Sequence, residues 1–190
     1  LLVATAVAGS GRAAVAGAGS GAGAQVPPTL DSLFVSGTLG INTFRVPNIV
    51  TTANGTLIAI AQGKLFGHGD NGATSILMRR SDTAGRSWEP ATVVLSDPTN
   101  SSEFDAVLSY EPVGNTLILV YQAMKVRDLC GPCVQNVRRS TTYGRSWGAP
   151  TQVPSVNTTG GGGVSSGVVL TRGKYKGRLL VPQRHDCHGC

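Results

Sequence analysis

The chain has 190 residues, a formal net charge of +6, 14% charged residues and 26 glycines. Many glycines among short apolar runs favour strands and turns over a helical bundle, and no sustained helical periodicity appears after residue 30. No dense Lys/Arg run accounts for the charge, so nucleic acid is not an expected partner; no run of 18 apolar residues exists, so no membrane span is expected. A basic surface suits an anionic substrate.

Residues 1–30 read as a leader and linker closed by Pro27–Pro28, and residues 31–190 as one partial domain. Leu1–Gly9 is apolar, and Ala22-Gly23-Ala24 fits the small-x-small pattern of a signal-peptidase site. Arg12 interrupts the apolar stretch, which leaves two readings: a truncated secretory signal or an Ala/Gly extension. Sequons at Asn54, Asn100 and Asn157 support the secretory reading and a lysosomal or extracellular address.

Beyond the linker the chain repeats itself. The apolar strand Thr56–Ala61 is matched by Thr116–Tyr121, and Arg178–Pro182 begins a third copy, at intervals of about 60 residues. Ser81-Asp-Thr-Ala-Gly-Arg-Ser-Trp88 is matched by Ser140-Thr-Thr-Tyr-Gly-Arg-Ser-Trp147 at the same interval. Such a period, with room for about four short strands per unit, suits a β-propeller blade. Leu57–Ala61, Ser75–Arg80, Thr92–Leu95 and Ala106–Ser109 are the strands expected around the first copy. Within each octapeptide, Gly85 and Gly144 permit positive φ, Ser81 and Ser140 bond nearby backbone, and Trp88 and Trp147 pack on the blade. Their expected role is structural. So is that of the basic pairs Arg79–Arg80 and Arg138–Arg139, which recur at equivalent repeat positions.

The octapeptides resemble the Asp-box of sialidases, with Thr83 and Thr142 at the aspartate positions and Ser87 and Ser146 at the threonine positions. Phe44-Arg45-Val46-Pro47 resembles the Phe-Arg-Ile-Pro segment that opens the sialidase domain. The likeness runs over roughly residues 40–185. Gly67–Gly72 and Lys176–Val181 resemble the animal lysosomal members most. The resemblance implies an all-β fold, the N-terminal two to three blades of a six-bladed propeller, and an exo-α-sialidase acting on sialylated glycoconjugates by a retaining mechanism. No cofactor or site metal is implied.

The same resemblance assigns roles. Arg45 matches the first of three arginines that bind the sialic acid carboxylate, a task suited to the two-pronged guanidinium. Asp70 matches the acid/base aspartate, which protonates the leaving oxygen. Lys64 stands at the position of a second site arginine and retains charge without the fork; Gln62 stands where a glutamate is common. The family's nucleophile is a tyrosine, an exception to the two-carboxylate scheme. It belongs to later blades, together with its glutamate and two arginines. Tyr110, Tyr121, Tyr143 and Tyr175 are therefore not assigned to it, and the 190-residue chain alone is expected to be inactive. A non-catalytic glycan- or protein-binding propeller is the rival reading, and a trans-sialidase would differ only in acceptor handling.

Four cysteines form two C-x-x-C pairs, Cys130/Cys133 and Cys187/Cys190, with His185 and His188 beside the second. Disulfides, a structural zinc site and free thiols all fit this pattern. His68 reads as a solvent-exposed loop residue.

Overall fold

The computed structural model describes residues 2–5, 30–67, 72–96, 101–125, 134–154 and 167–182. Regular structure among them is entirely β: β1 (Leu2–Thr5), β2 (Leu30–Phe34), β3 (Thr43–Thr51), β4 (Leu57–Lys64), β5 (Thr74–Ser81), β6 (Thr92–Ser96), β7 (Ser101–Glu111), β8 (Thr116–Lys125), β9 (Val134–Ser140), β10 (Thr151–Gln152), β11 (Val168–Val169) and β12 (Leu179–Leu180). Two four-stranded antiparallel sheets, β3-β4-β5-β6 and β7-β8-β9-β10, are the first two blades. β11 and β12 pair antiparallel as the start of a third, and β1 pairs with β2. No helix among the described residues is long and apolar enough to cross a membrane.

One expected grouping is corrected. Ala106–Ser109 belongs to β7, the first strand of the second blade, and the first blade begins with β3. β3 escapes a pattern search because it is a half-exposed strand with Pro47 inside it, not a buried apolar run.

The two faces of β4 explain its composition. Ile58 and Ile60 point into a cluster with Ile76, Met78, Leu108, Leu117 and Leu119, which fills the seam between the blades. Ala59 and Ala61 point the other way, toward Leu33, Phe34, Ile41 and Phe44. This alternation is the two-residue period of a strand. The second face is crowded: the Phe34 and Phe44 rings lie 5.3 Å apart. A Cβ on Gly63 would stand 2.7 Å from Leu77 Cδ1 and 2.9 Å from Ile41 Cδ1. Each large aliphatic side chain buried here contributes about 1.5–3 kcal/mol.

The octapeptide turns are built alike. Ser81 Oγ accepts from the N–H of Thr83 at 3.3 Å and of Gly85 at 2.9 Å. Ser140 Oγ accepts from Thr142 and Gly144 at the same two distances. Thr83 Oγ1 then accepts the Ser87 N–H at 2.9 Å, and Thr142 Oγ1 the Ser146 N–H at 2.9 Å. Threonine thus fills the acceptor place of the family's aspartate with a neutral oxygen. Gly85 and Gly144 take φ of 84° and 81°, as the turn requires. Trp88 packs against the outer cluster and Trp147 against the seam cluster.

Arginines tie blade to blade. Arg138 donates through Nε to Gly148 O and through NH1 to Val94 O, a carbonyl of β6. Arg80, 5% exposed, pairs with Asp82 at 3.2 Å and Glu89 at 3.5 Å. One arginine of each recurring basic pair, Arg80 in the first and Arg138 in the second, thus makes structural contacts.

Both first strands carry a bulge at the same repeat position. In β3 the pairing with β4 shifts between Arg45 and Asn48; in β7 the pairing with β8 shifts between Phe104 and Val107. Each bulge holds one residue in the left-handed region, Val46 at φ 45° and Asp105 at φ 54°. For a β-branched residue such as Val46 this is a strained conformation. Pro47 is tolerated because the bulge needs no ladder hydrogen bond from it.

Candidate functional site

Three of the residues singled out in the sequence sit at one end of the first blade. The register places Thr43 opposite Lys64, Phe44 opposite Gly63, and Arg45 opposite Gln62. Phe44 is 6% exposed in the outer cluster, so it anchors the strand. Arg45, the next residue, takes the other face, which it shares with Gln62 and Lys64. That face looks toward the seam and β7; β3 and β7 lie against each other.

The three differ in access. Arg45 is exposed. Gln62 and Lys64 are each 2% exposed. Lys64 lies between Thr43 on β3 and Thr74 on β5 in the register. An ammonium so buried is desolvated, and such a charge must be compensated. Gln62 Nε2 has no hydrogen-bond partner among the described residues.

The connection after β4 starts at this end. Asn42 donates its N–H to Lys64 O, and Leu65 donates to Ala73 O, which closes the base of the loop. Phe66 at its start is 74% exposed. Asp70 and His68 lie outside the described residues, as do all four cysteines, His185 and His188. Among the described residues no His, Cys, Asp and Glu side chains are grouped to hold a metal ion.

The octapeptide turn lies at the opposite end of the same sheet. Ser81 pairs with Leu57, whereas Thr74 pairs with Lys64. Seven residue steps separate these pairs, roughly 20 Å along the strand. The Ser-to-Trp turns are thus too far from Arg45 to touch a ligand held there.

Electrostatics at the turn end are separate too. The Thr56 hydroxyl donates to Asp82 Oδ1 at 2.6 Å and is the main reason that the Asp82 carboxyl lies below its usual range. Desolvation opposes this, and Arg80 and then Arg145 lower the carboxyl further.

The described tyrosines have structural surroundings. Tyr110 donates to Asn115 Oδ1, Tyr121 is 4% exposed in the seam cluster, Tyr143 occupies the second turn at φ 53°, and Tyr175 lies 4.1 Å beneath the Arg178 guanidinium. Sequence reasoning missed the bulge at Asp105, the counterpart of the one after Arg45, on the strand that lies against β3. The repeat interval of about 60 residues, applied to Val46, would have found it.

Comparison with known proteins agrees with this architecture. The sequence model of the BNR repeat-like domain matches residues 55–189. A sialidase of Micromonospora viridifaciens is 36% identical over 106 residues, which is 53% of this chain and 16% of that protein. Among solved structures, a leech intramolecular trans-sialidase superposes with a TM-score of 0.68 at 16% identity, over 80% of this chain and 42% of that one. The intramolecular trans-sialidase of Ruminococcus gnavus gives 0.66 at 12% identity, over 75% and 56%. The chain therefore spans about a sixth of the curated relative and about half of these solved chains. The fold is that of the sialidase β-propellers.

Proposed function

Because the chain belongs to the BNR repeat-like domain family, we propose that it is the N-terminal part of an exo-α-sialidase, which removes terminal sialic acid from glycoconjugates with retention. One observation carries this reading. An exposed arginine follows a buried phenylalanine on a bulged inner strand, at the end of the blade far from the structural turn. An arginine so placed offers a rigid fork to a carboxylate.

The chemistry follows from that binding. Arg45 holds the sialic acid carboxylate beside the anomeric carbon. Asp70, which falls in sequence between β4 and β5, protonates the leaving oxygen and then activates water. The tyrosine nucleophile, its glutamate and two further arginines are supplied by later blades, so the 190-residue chain has only part of the site. The likeness of Gly67–Gly72 and Lys176–Val181 supports a lysosomal-like type, and the exposed sequon residue Asn54 supports passage through the secretory pathway.

The enclosed Lys64 favours a second reading, a glycan-binding propeller without turnover, since a buried ammonium gives a carboxylate no fork. Release of a fluorogenic sialoside by the full-length protein separates the two. Asp70→Ala is expected to abolish most of kcat. An unchanged kcat removes Asp70 from the mechanism, and no release by the unsubstituted protein leaves the binding module.

A further inference from the structure

We infer that Asn54 is an N-glycosylation site, and that its glycan is added before the turn between β3 and β4 is locked in place. The inference rests on the secretory part of the reading above and adds to it a modified atom and an order of events. Of the sequons at Asn54, Asn100 and Asn157, the first lies among the described residues. It occupies the turn between β3 and β4, where Ala53, Asn54 and Gly55 are all exposed. Gly55 has a φ of 85°, and a Cβ on it would meet nothing within 4 Å. The tip of the turn is open, as a bulky sugar requires.

The turn uses one of the two polar atoms of the Asn54 side chain. Oδ1 accepts from the Thr52 hydroxyl at 2.6 Å and from the Thr56 backbone N–H at 3.2 Å. A backbone N–H can only donate, so the atom that faces it is the oxygen. Nδ2 is the atom that a glycan would take. In that reaction Nδ2 attacks the anomeric carbon of an oligosaccharide carried on a lipid pyrophosphate. A C–N bond forms, the C–O bond to the pyrophosphate breaks, and the pyrophosphate leaves with the electron pair. A base of the transferase takes the Nδ2 proton. Oδ1 remains an acceptor, so the turn keeps both hydrogen bonds after modification.

Thr56 sets the order. A sequon needs a hydroxyl two residues after the asparagine. In the folded chain Thr56 is 3% exposed, and its hydroxyl donates to Asp82 Oδ1 at 2.6 Å. The Gly55 N–H is held by Thr52 O as well. The sequon hydroxyl is therefore accessible only until Asp82, which follows β5, has folded back onto it. The finished glycan stands clear of the candidate site. Leu57, paired with Thr51 beside the turn, is seven residue steps from Lys64, paired with Thr43 at the other end, roughly 20 Å along the strand.

The test expresses the full-length gene in animal cells and maps the recovered protein by mass spectrometry. Enzymatic glycan release in heavy-oxygen water converts each occupied asparagine to a labelled aspartate. Asn54 is expected to carry the label, and Asn54→Gln to remove the mass of one glycan from the whole protein. A second arm takes full-length protein made and folded in bacteria and adds purified oligosaccharyltransferase with its lipid-linked donor. Asn54 is expected to stay unmodified there. A bare Asn54 beside an occupied Asn100 or Asn157 in the animal-cell protein overturns the site and leaves the secretory reading standing. If all three are bare, both fall. Modification of the already folded protein overturns the order of events.

Discussion

Arg145 of the second turn donates to Asp82 of the first at 3.4 Å, across 63 residues of sequence. The same guanidinium lies 3.3 Å from Glu89, and Arg80 reaches both carboxylates from below. Two arginines and two acids thus join consecutive blades at their outer turns. Their worth is set by exposure: the Arg145 and Asp82 side chains are 59% and 48% exposed. Exposed pairs contribute about 0.2–1 kcal/mol and weaken with salt. Arg145→Ala is therefore expected to lower stability by no more than about 1 kcal/mol in dilute buffer. In 1 M salt the difference in urea midpoints is expected to vanish. A loss that persists at high salt would mean that Arg145 acts by packing.

Acid acts on the same network. The Asp82 carboxyl is lowered in the folded state, chiefly by the Thr56 hydroxyl and then by Arg80 and Arg145. A carboxylate depressed on folding contributes stability above its unfolded value, about 3.9, and loses it as pH falls through the folded value. Asp82→Asn is expected to flatten the acid limb of the stability profile below about pH 4 and to change little near neutrality beyond the lost ion pairs. Denaturation followed from pH 7 to 2.5 checks this; an unchanged acid limb would assign it to other carboxyls.

Restoring the aspartate of the turn gives a graded prediction. Thr142→Asp replaces a neutral acceptor for the Ser146 N–H with a charged one, and charge-assisted hydrogen bonds are roughly twice as strong. Its neighbour is Thr141, so no like charge opposes it. Thr83→Asp makes the same exchange beside Asp82. We expect Thr142→Asp to stabilise by about 0.5–1 kcal/mol and Thr83→Asp by less. Thermal melts of the two variants rank them, and equal gains would contradict the repulsion argument.

Gly144 carries two constraints at once. Its φ is 81°, and a Cβ there would stand 2.9 Å from Met78 Sδ of the first blade. Met78 can yield, being flexible, but the backbone cannot. Gly144→Ala is expected to cost about 1–2 kcal/mol, mostly as strain in the left-handed region. Gly148→Ala, whose Cβ would meet nothing nearer than 3.5 Å, serves as the comparison and is expected to cost far less.

Arg45 separates binding from folding. Being exposed, it is expected to tolerate Arg45→Lys with no measurable change in unfolding. Lysine keeps the charge and loses the paired donors. In the full-length protein kcat/KM for a sialoside is expected to fall roughly ten- to hundredfold, by the worth of hydrogen bonds to a charged group. A variant with full activity would leave Arg45 as a surface residue.

Much of this was legible in the sequence because it depends on local needs. A turn that demands a positive φ, an acceptor at its start and a large ring at its end leaves Gly, Ser and Trp at fixed spacing, and a second copy exposes the period. Strand grouping was less legible. Pro47 and the strained Val46 interrupt the alternation of β3, so its place as the first strand of a blade emerges only from pairing with β4. The enclosure of Lys64 was not legible either. It depends on the pairing of β4 between β3 and β5, which sets Lys64 between Thr43 and Thr74 and which no local pattern around Lys64 announces. Nor can composition announce the Arg138 contact to the Val94 carbonyl, since any strand residue offers the same acceptor.

The bulge after Arg45 has a consequence for how such a site is kept through sequence change. Val46 and Pro47 together stand opposite one residue of β4. Arg45 and Asn48 are three positions apart, an odd number that would put them on opposite faces of a regular strand, yet they pair with Gln62 and Ile60, two residues of one face of β4. The bulge absorbs the odd residue, so loss of either Val46 or Pro47 would leave both flanks in their present pairing, with Phe44 still opposite Gly63 and Arg45 still opposite Gln62. The side that Arg45 takes is thus set by its pairing with β4 and not by the length of the segment that follows it. A one-residue deletion within the bulge would be less damaging than one in either flank, where it would turn every side chain up to the bulge to the other face.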